Sequence, residues 1–418
     1  MNTDEVPTCA DDDSPDPRAA MLSGRVHELR RRKSMRAALI TLPAFAFVLL
    51  IFVLPIAAVL YRAVDGGSAR VHLPKTATVL ATWNGKSSLP EAACGALVDD
   101  FRAIDLTTVA DLARDLNSRR SGFGRLAIET KRSLDASTGH PVLADLAAID
   151  SRWADLAYWR TLKSAMQPVT AYYVLAALDL RQSDRGGVER APENRRIYIG
   201  FVARTFWICF MVTVICVIAG YPVAYLIAHL APATARILMY ILLLPFWTSI
   251  LVRTAAWAIL LQPNGIVNTV LKATGLIAQP MTLIYNRFGV CVAMTHVLLP
   301  FMIFPIYGII KTIPKNLMPA AASLGAAPWT AFREVYLPLS MPGLSAGCLM
   351  TFVLGLGYYV TPALVGGPGD QMESGLIARF ALGEANWPMA SAISLVLLAM
   401  MALAFIPFLR LRRVIAPD

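Results

Sequence analysis

Six long apolar stretches alternate with polar segments along the chain. The first runs from Ala37 to Tyr61 and carries no charge. The others are roughly Phe206 to Leu230, Ile237 to Leu261, Phe288 to Ile310, Gly343 to Val365 and Trp387 to Leu409. A hydrocarbon core ~30 Å thick needs about 20 residues of helix, and each stretch meets that length. The first is too long for the apolar core of a cleaved leader and begins too far into the chain, so it is expected to remain as a transmembrane helix. Most stretches contain Gly or Pro, which membrane helices tolerate better than soluble ones. None contains Asp or Glu, and the one Lys or Arg is Arg253. Arg253 is expected near the outer end of its span, where it can snorkel or find a partner.

Between the first two stretches the pattern changes. Leu106, Val109, Leu112, Ala113 and Leu116 recur at helical spacing, and Leu143, Leu146, Trp153, Leu156 and Trp159 do so less regularly. That periodicity predicts a small, mainly helical domain over 62–204, resting on a membrane face. The charged, Gly-containing segment 182–196 reads as its return linker. The first 36 residues are polar, with Asp11, Asp12 and Asp13 beside prolines, and read as a disordered tail. The expected organisation is a tail over 1–36, a first span over 37–61, the inserted domain over 62–204, a transmembrane core over 205–410 and a short tail over 411–418.

Charge orients this arrangement. Arg30, Arg31, Arg32, Lys33 and Arg36 precede the first span, and Arg410, Arg412 and Arg413 follow the last. With an even number of spans both clusters lie on one side, and the positive-inside rule makes that side cytoplasmic. Lys311, Lys315 and Arg333 then also lie inside, and the inserted domain lies outside, since long loops translocate largely regardless of charge. Composition agrees. Of 418 residues, 56% are hydrophobic and 16% charged, and mean hydropathy is +0.54. Soluble domains are nearer a quarter charged, so a simple soluble enzyme is excluded. In so apolar a chain the net charge of +10 orients the protein in a bilayer, and no nucleic-acid partner is expected.

Candidate chemistry is sparse. Asn84-Gly85-Lys86-Ser87 ends like a nucleotide-binding loop, but Leu80 stands where the first glycine is needed, so a turn is expected. No zinc-protease motif is present. Five of the six cysteines lie in the tail (Cys9) or in spans (Cys209, Cys216, Cys291, Cys348), and Cys94 alone lies outside. No catalytic residue, metal site or bound cofactor is expected. His296, within the fourth span, reads as a packed or pore-lining neutral imidazole.

The segment from Asn316 to Gly347 is the most informative. It reads as a short helix from about Pro319 to Leu324, with Pro319 suited to a first helical position and Gly325 to a left-handed cap. A second helical piece follows from Pro328 to Tyr336, closed by Pro338 and Pro342 ahead of the fifth span. Leu324, Ala326, Trp329 and Phe332 are then presented as knobs. An amphipathic connector lying at the interface fits the same local pattern. Ala320-Ala321, Leu324-Gly325-Ala326, Phe332, Val335, Leu337-Pro338 and Pro342-Gly343 together resemble the cytoplasmic EAA loop of ABC importer permeases, with Pro319 where the family usually has Glu. The resemblance implies that this loop, over 316–343, docks into a cleft of an ATP-hydrolysing subunit.

Further segments resemble permeases of the spermidine/putrescine type. They are Gly355-Leu356-Gly357-Tyr358-Tyr359-Val360-Thr361-Pro362, Gly366-Gly367-Pro368, Gly220-Tyr221-Pro222-Val223-Ala224-Tyr225, Leu251-Val252-Arg253-Thr254 with Trp257, and Asn386-Trp387. The resemblance runs from about Phe206 to the C-terminus and leaves the inserted domain without an inherited role. It implies an all-α membrane protein of about six spans, in the type I importer fold, in a bacterial inner membrane with both termini cytoplasmic. It also implies a second permease subunit, two ATPase subunits that use the ATP, a periplasmic solute-binding protein and the lipid around them. The chain itself would be a transport subunit, not an enzyme, for a polyamine or related amino compound. Tyr358, Tyr359 and Thr361 offer aromatic faces and hydroxyls to a solute at membrane depth, and Tyr221 and Arg253 join them as candidate pathway residues. Interfacial anchoring is the competing reading of the tyrosines. Two rival functions, an ion-coupled secondary transporter and a membrane-tethered domain protein, fit less well. The first needs an ionisable midplane group, and the second leaves the loop without a role.

Overall fold

The computed structural model describes residues 41–66, 69–85, 87–136, 143–182 and 187–415. The Arg30–Arg36 cluster, Cys9, Lys86, the first residues of the 37–61 stretch and the last three residues lie outside these.

Among the described residues, five helices are long and apolar enough to cross a membrane: Thr41–Arg62, Tyr198–His229, Arg287–Ile310, Pro328–Leu356 and the apolar part of Trp387–Ile415. The count is six if the bent pair Pro232–Trp247 and Ile250–Leu260 is one span. That pair corrects the expectation of a straight helix over 237–261, because its halves meet at 97°. Leu244–Trp247 tightens into a 3-10 turn around Pro245, and Thr248 and Ser249 are extended. A break in a spanning helix frees carbonyls that need donors. The Arg253 guanidinium supplies them, donating to the carbonyls of Pro245 and Thr248. Arg253 therefore finds its partners within its own broken helix and closes the bend.

The second span begins eight residues earlier than its apolar stretch, because Tyr198 to Thr205 continue the helix with mixed polarity. The fourth of the long helices, Pro328–Leu356, also differs from expectation. Pro338 and Pro342 do not close a separate piece: the helix from Pro328 runs through them to Leu356. It does so by widening one turn. Pro338 has no N–H to return, and just ahead of it the Leu337 N–H reaches back to Phe332 O, a π-type bond. The same device precedes Pro55, where the Leu54 N–H donates to Leu49 O.

The 198–229, 287–310 and 328–356 helices share one apolar core, with Val212, Met294, Leu298, Met302, Ile303 and Leu356 buried in it. Glycines set the spacing. A Cβ on Gly343 would lie 2.7 Å from Pro305 O, and one on Gly347 2.9 Å from Met302 O, so the backbones approach as close small-residue packing allows.

The inserted segment forms a second core. Helices Pro74–Thr82, Glu91–Ala103, Leu106–Arg119, Phe123–Asp135 and Leu156–Ala165 enclose it. Val109, Leu112, Ala113 and Leu116 are buried as their spacing predicts, and Leu106 at the helix start is exposed. Asp105 caps this helix by accepting from the Thr108 N–H. Trp153 and Trp159 pack at 5.1 Å between centroids, and both indole N–H groups find acceptors, Thr130 Oγ1 and Trp153 O, each at 2.9 Å. Buried Asp100 accepts from both N–H and Oγ1 of Thr76 at 2.7 Å. Cys94 is buried here, and burial pushes its thiol up to about 11. Among the described residues, no helix begins at the nucleotide-loop look-alike: Gly85 has φ +75° and Asn84 Oδ1 accepts from Ser87 N and Oγ at 2.9 Å. Within the return linker, Val188–Arg190 forms a strand paired antiparallel with Leu180–Gln182. A third cluster joins this segment to the membrane helices: Tyr173 and Ala177 pack with Met389, Ala392 and Ile393.

Candidate functional site

The loop between the 287–310 and 328–356 helices folds into a sharp corner. Leu317–Ser323 is helical, so Pro319 is its third residue, not its first. Its missing N–H still costs nothing, because first-turn donors have no partner within a helix. The corner itself forms as the sequence predicts. Gly325 has φ +86°. Its N–H donates to Ala322 O at 3.0 Å, and the Ala326 N–H reaches Ala321 O at 3.1 Å. This pair of bonds is the Schellman arrangement, which needs a left-handed residue at the turn. Ala327 is then extended, and Pro328 opens the next helix.

The corner presents side chains unevenly. Leu324 is 90% exposed and Trp329 is 71% exposed, while Pro319 and Ala320 are exposed and Ala321 and Ala326 are half-buried. Phe332 differs from expectation. It is half-buried and stacked between Trp329 (5.6 Å) and Tyr336 (5.9 Å), with the edge of Tyr225 at 6.4 Å. Its period places it on the inner face of its helix, so it anchors the corner to the core. Two apolar side chains, Leu324 and Trp329, remain as knobs on a corner fixed from below.

The proposed pathway residues do not converge on one place. Tyr221 belongs with the corner: its hydroxyl is 2.8 Å from Ser340 Oγ and its ring meets Phe332 edge-on at 6.1 Å. Tyr358 and Tyr359 do not lie within the span. The helix ends at Leu356, and both tyrosines occupy the break before the short helix Val360–Val365. Tyr358 is half-buried and its carbonyl accepts from Ser374 Oγ at 2.7 Å, whereas Tyr359 is exposed. Thr361 is fully buried, its Oγ1 3.2 Å from Thr254 Oγ1. Thr254 follows Arg253, so this contact ties the short helix to the second half of the broken pair. Trp257, one turn further on, donates Nε1–H to His296 Nδ1 at 3.2 Å. Thr254 and Trp257 thus tie Thr361 and His296 to the second half of the broken pair, with His296 Nδ1 as acceptor.

Sequence reasoning missed Glu373. It lies outside the apolar stretches, where an acid is ordinary, yet it is 1% exposed. Its N–H donates to Thr205 Oγ1 at 2.8 Å, and its carboxyl oxygens have no partner among the described residues. Burial pushes the carboxyl from its ordinary 4.5 up to about 7. An acid whose folded value is raised costs nothing below the unfolded value and its full penalty above the folded one. Stability should therefore fall as pH rises from about 4.5 to about 7. Glu373→Gln should flatten that decline and raise the thermal midpoint at about pH 8 by a few degrees. An unchanged pH profile in the variant would show that the carboxyl is already solvated.

The match to known proteins covers the same region. The family of binding-protein-dependent transport system inner membrane components matches residues 205–418. The spermidine/putrescine transport system permease protein PotB of Haemophilus influenzae is 34% identical over 203 residues, covering 49% of this chain and 71% of the relative. Its counterpart in Escherichia coli K12 is 30% identical over 219 residues, covering 52% and 80%. A chain in the crystal structure of a bacterial alginate ABC transporter is 20% identical, aligned over 50% of this chain and 77% of its own with a TM-score of 0.39. Matched by the family over half its length, with the corner and the broken helix inside the matched region, this chain belongs to the binding-protein-dependent inner membrane components and is the permease subunit of an ABC importer.

Proposed function

We propose that this permease carries a small cationic amine of the polyamine class across a bacterial inner membrane. What supports that substrate class is the 34% identity to a spermidine/putrescine permease. The chain is a transport subunit, and ATP is used by a separate ATPase. In this reading two ATPase subunits lie under the membrane and a second permease subunit completes the pathway. A periplasmic binding protein delivers the solute. Both termini and the 317–332 corner face the cytoplasm, and the 62–204 insertion faces the periplasm. Leu324 and Trp329 seat in the ATPase, and Phe332 transmits its movement to the 328–356 helix. ATP-driven closure of the ATPase pair then moves the corners and opens the helices outward.

The solute passes the break at Gly357–Val360, where Tyr358, Tyr359 and Thr361 stand beside the broken helix. An aromatic face contributes ~0.5–2 kcal/mol to holding a cation. With the complete importer in proteoliposomes, labelled putrescine and spermidine should be taken up in an ATP-dependent way, and excess unlabelled amine should compete. Tyr359→Ala should lower uptake by about tenfold and Tyr359→Phe by much less, since the ring is what remains. No uptake of either amine would refute the substrate class. Normal uptake by both Tyr358→Ala and Tyr359→Ala would move the pathway elsewhere.

A further inference from the structure

The inserted segment holds a large cleft of about 1110 Å³ between its helices and the start of the 198–229 membrane helix. Among the described residues, six cations line it: Arg119, Arg120, Arg160, Lys163, Arg181 and Arg195. Among the described residues, no Asp or Glu does.

The six are not equivalent. Arg119 is structural: it is buried, donates to Gly66 O and Tyr173 Oη, and lies 4.0 Å from Asp115. Arg120 stacks over Tyr158 at 4.8 Å, with Asp155 3.5 Å away. Arg181 is 3.4 Å from Glu189. The other three face no carboxylate within 4 Å among the described residues. Arg160 donates Nε–H to Gly85 O at 2.7 Å, which fixes its stem and commits none of its terminal nitrogens. Lys163 reaches Trp83 O, a neutral acceptor. Arg195 is exposed and makes no side-chain bond among the described residues.

Three uncountered cations on the walls of one cleft repel each other, and the low-dielectric wall strengthens the effect. A multivalent oxyanion relieves that repulsion. Guanidinium forks match phosphate geometry, and an ammonium adds a point charge. A cationic solute would be repelled, so the cleft does not belong to the transport pathway proposed above. Its position adds a further constraint, because Ile197 and Tyr198, at the start of a membrane helix, form part of its wall.

We propose that this cleft is a binding site for a phosphate-bearing anion, held by Arg160, Lys163 and Arg195. Two sources supply that chemistry, the headgroup of an acidic phospholipid and a soluble phosphate compound. The test uses the full chain purified into phosphatidylcholine nanodiscs. In one arm inorganic phosphate is titrated against sodium chloride of equal ionic strength. In the other, phosphatidylglycerol replaces part of the phosphatidylcholine. The thermal midpoint should rise in at least one arm, and which arm identifies the source. The double substitution Arg160→Gln with Arg195→Gln should weaken the response at least about tenfold, as expected for losing charge-assisted bonds. Lys75→Gln, whose partner Asp99 lies outside the cleft, should leave it unchanged. If the double variant does not fold, Arg195→Gln alone carries the test, since that side chain supports nothing in the fold. No rise beyond the chloride control in either arm, or an equal rise in the variants, overturns the proposal. So does binding of polyglutamate without a response to phosphate or phosphatidylglycerol.

Discussion

Gly325→Val should cut ATP-dependent uptake at least about tenfold while the permease still inserts and accumulates normally. The cause is the backbone. Gly325 sits at φ +86°, where an L-residue costs ~1–2 kcal/mol and a β-branched one more. Relaxing that strain means giving up the Ala326-to-Ala321 and Gly325-to-Ala322 bonds. The corner then opens and Leu324 and Trp329 lose their relative position. Space is not the issue, since a Cβ at this site meets no atom within 4 Å. That separates two explanations. If conformation decides, Gly325→Asn should keep most of the activity, because Asn tolerates the left-handed region. If the residue must simply be small, Gly325→Ala should be the better replacement. Uptake and co-purification of the ATPase should fall together in Gly325→Val. Wild-type uptake there would remove the corner from the coupling route.

Much of this corner was legible because its signals are local. A glycine between two helical pieces, with alanines before it and Ala-Pro after it, specifies a Schellman turn from neighbouring residues alone. The helix start was misplaced by two residues, because Leu317 and Met318 carry no cap signal to set against Pro319. Phe332 was misread for a different reason. Its exposure depends on Tyr225 and Tyr336, and Tyr225 lies on another helix.

The spans show the same division. Length and apolarity locate five long helices and the bent pair, and the 287–310 helix begins within one residue of expectation. Hydropathy is blind to direction, however, so neither the 97° bend after Pro245 nor the partners Arg253 finds in that bend's own carbonyls is legible in it. The fifth stretch was placed too late at both ends. Hydropathy cannot see that a π-type turn carries the helix through Pro338, nor that Gly355 and Gly357 end it before the tyrosines. Glu373 was the least legible residue. Nothing in Met372-Glu373-Ser374 signals burial, which comes from packing beside Thr205 on a helix that begins 175 residues earlier.

Gly343→Val should largely abolish accumulation of folded permease, and Gly347→Val should reduce it strongly. Both glycines face the 287–310 helix, but they meet different obstacles. At Gly343 a Cβ would lie 2.7 Å from Pro305 O, 2.9 Å from Ile309 Cβ and 3.0 Å from Ile306 Cα. Two of these are backbone atoms of a buried helix and cannot step aside. At Gly347 the contacts are Met302 Sδ at 2.8 Å and Met302 O at 2.9 Å, and only the thioether can move. Overpacking a close interface costs ~1–3 kcal/mol for the first added carbons, and valine adds two more methyl groups on a stiff χ1. The alternative to strain is separation of the helices, which would empty the core around Met302, Ile303 and Ile306. Gly308 provides the control on the same helix pair, because a Cβ there meets nothing within 4 Å, and Gly308→Ala should be tolerated. Size-exclusion profiles of detergent-extracted protein at matched expression would rank the three sites. Monodisperse Gly343→Val at wild-type yield would mean that the 287–310 and 328–356 helices can move apart without loss. Close packing would then not carry the motion of the corner into the membrane.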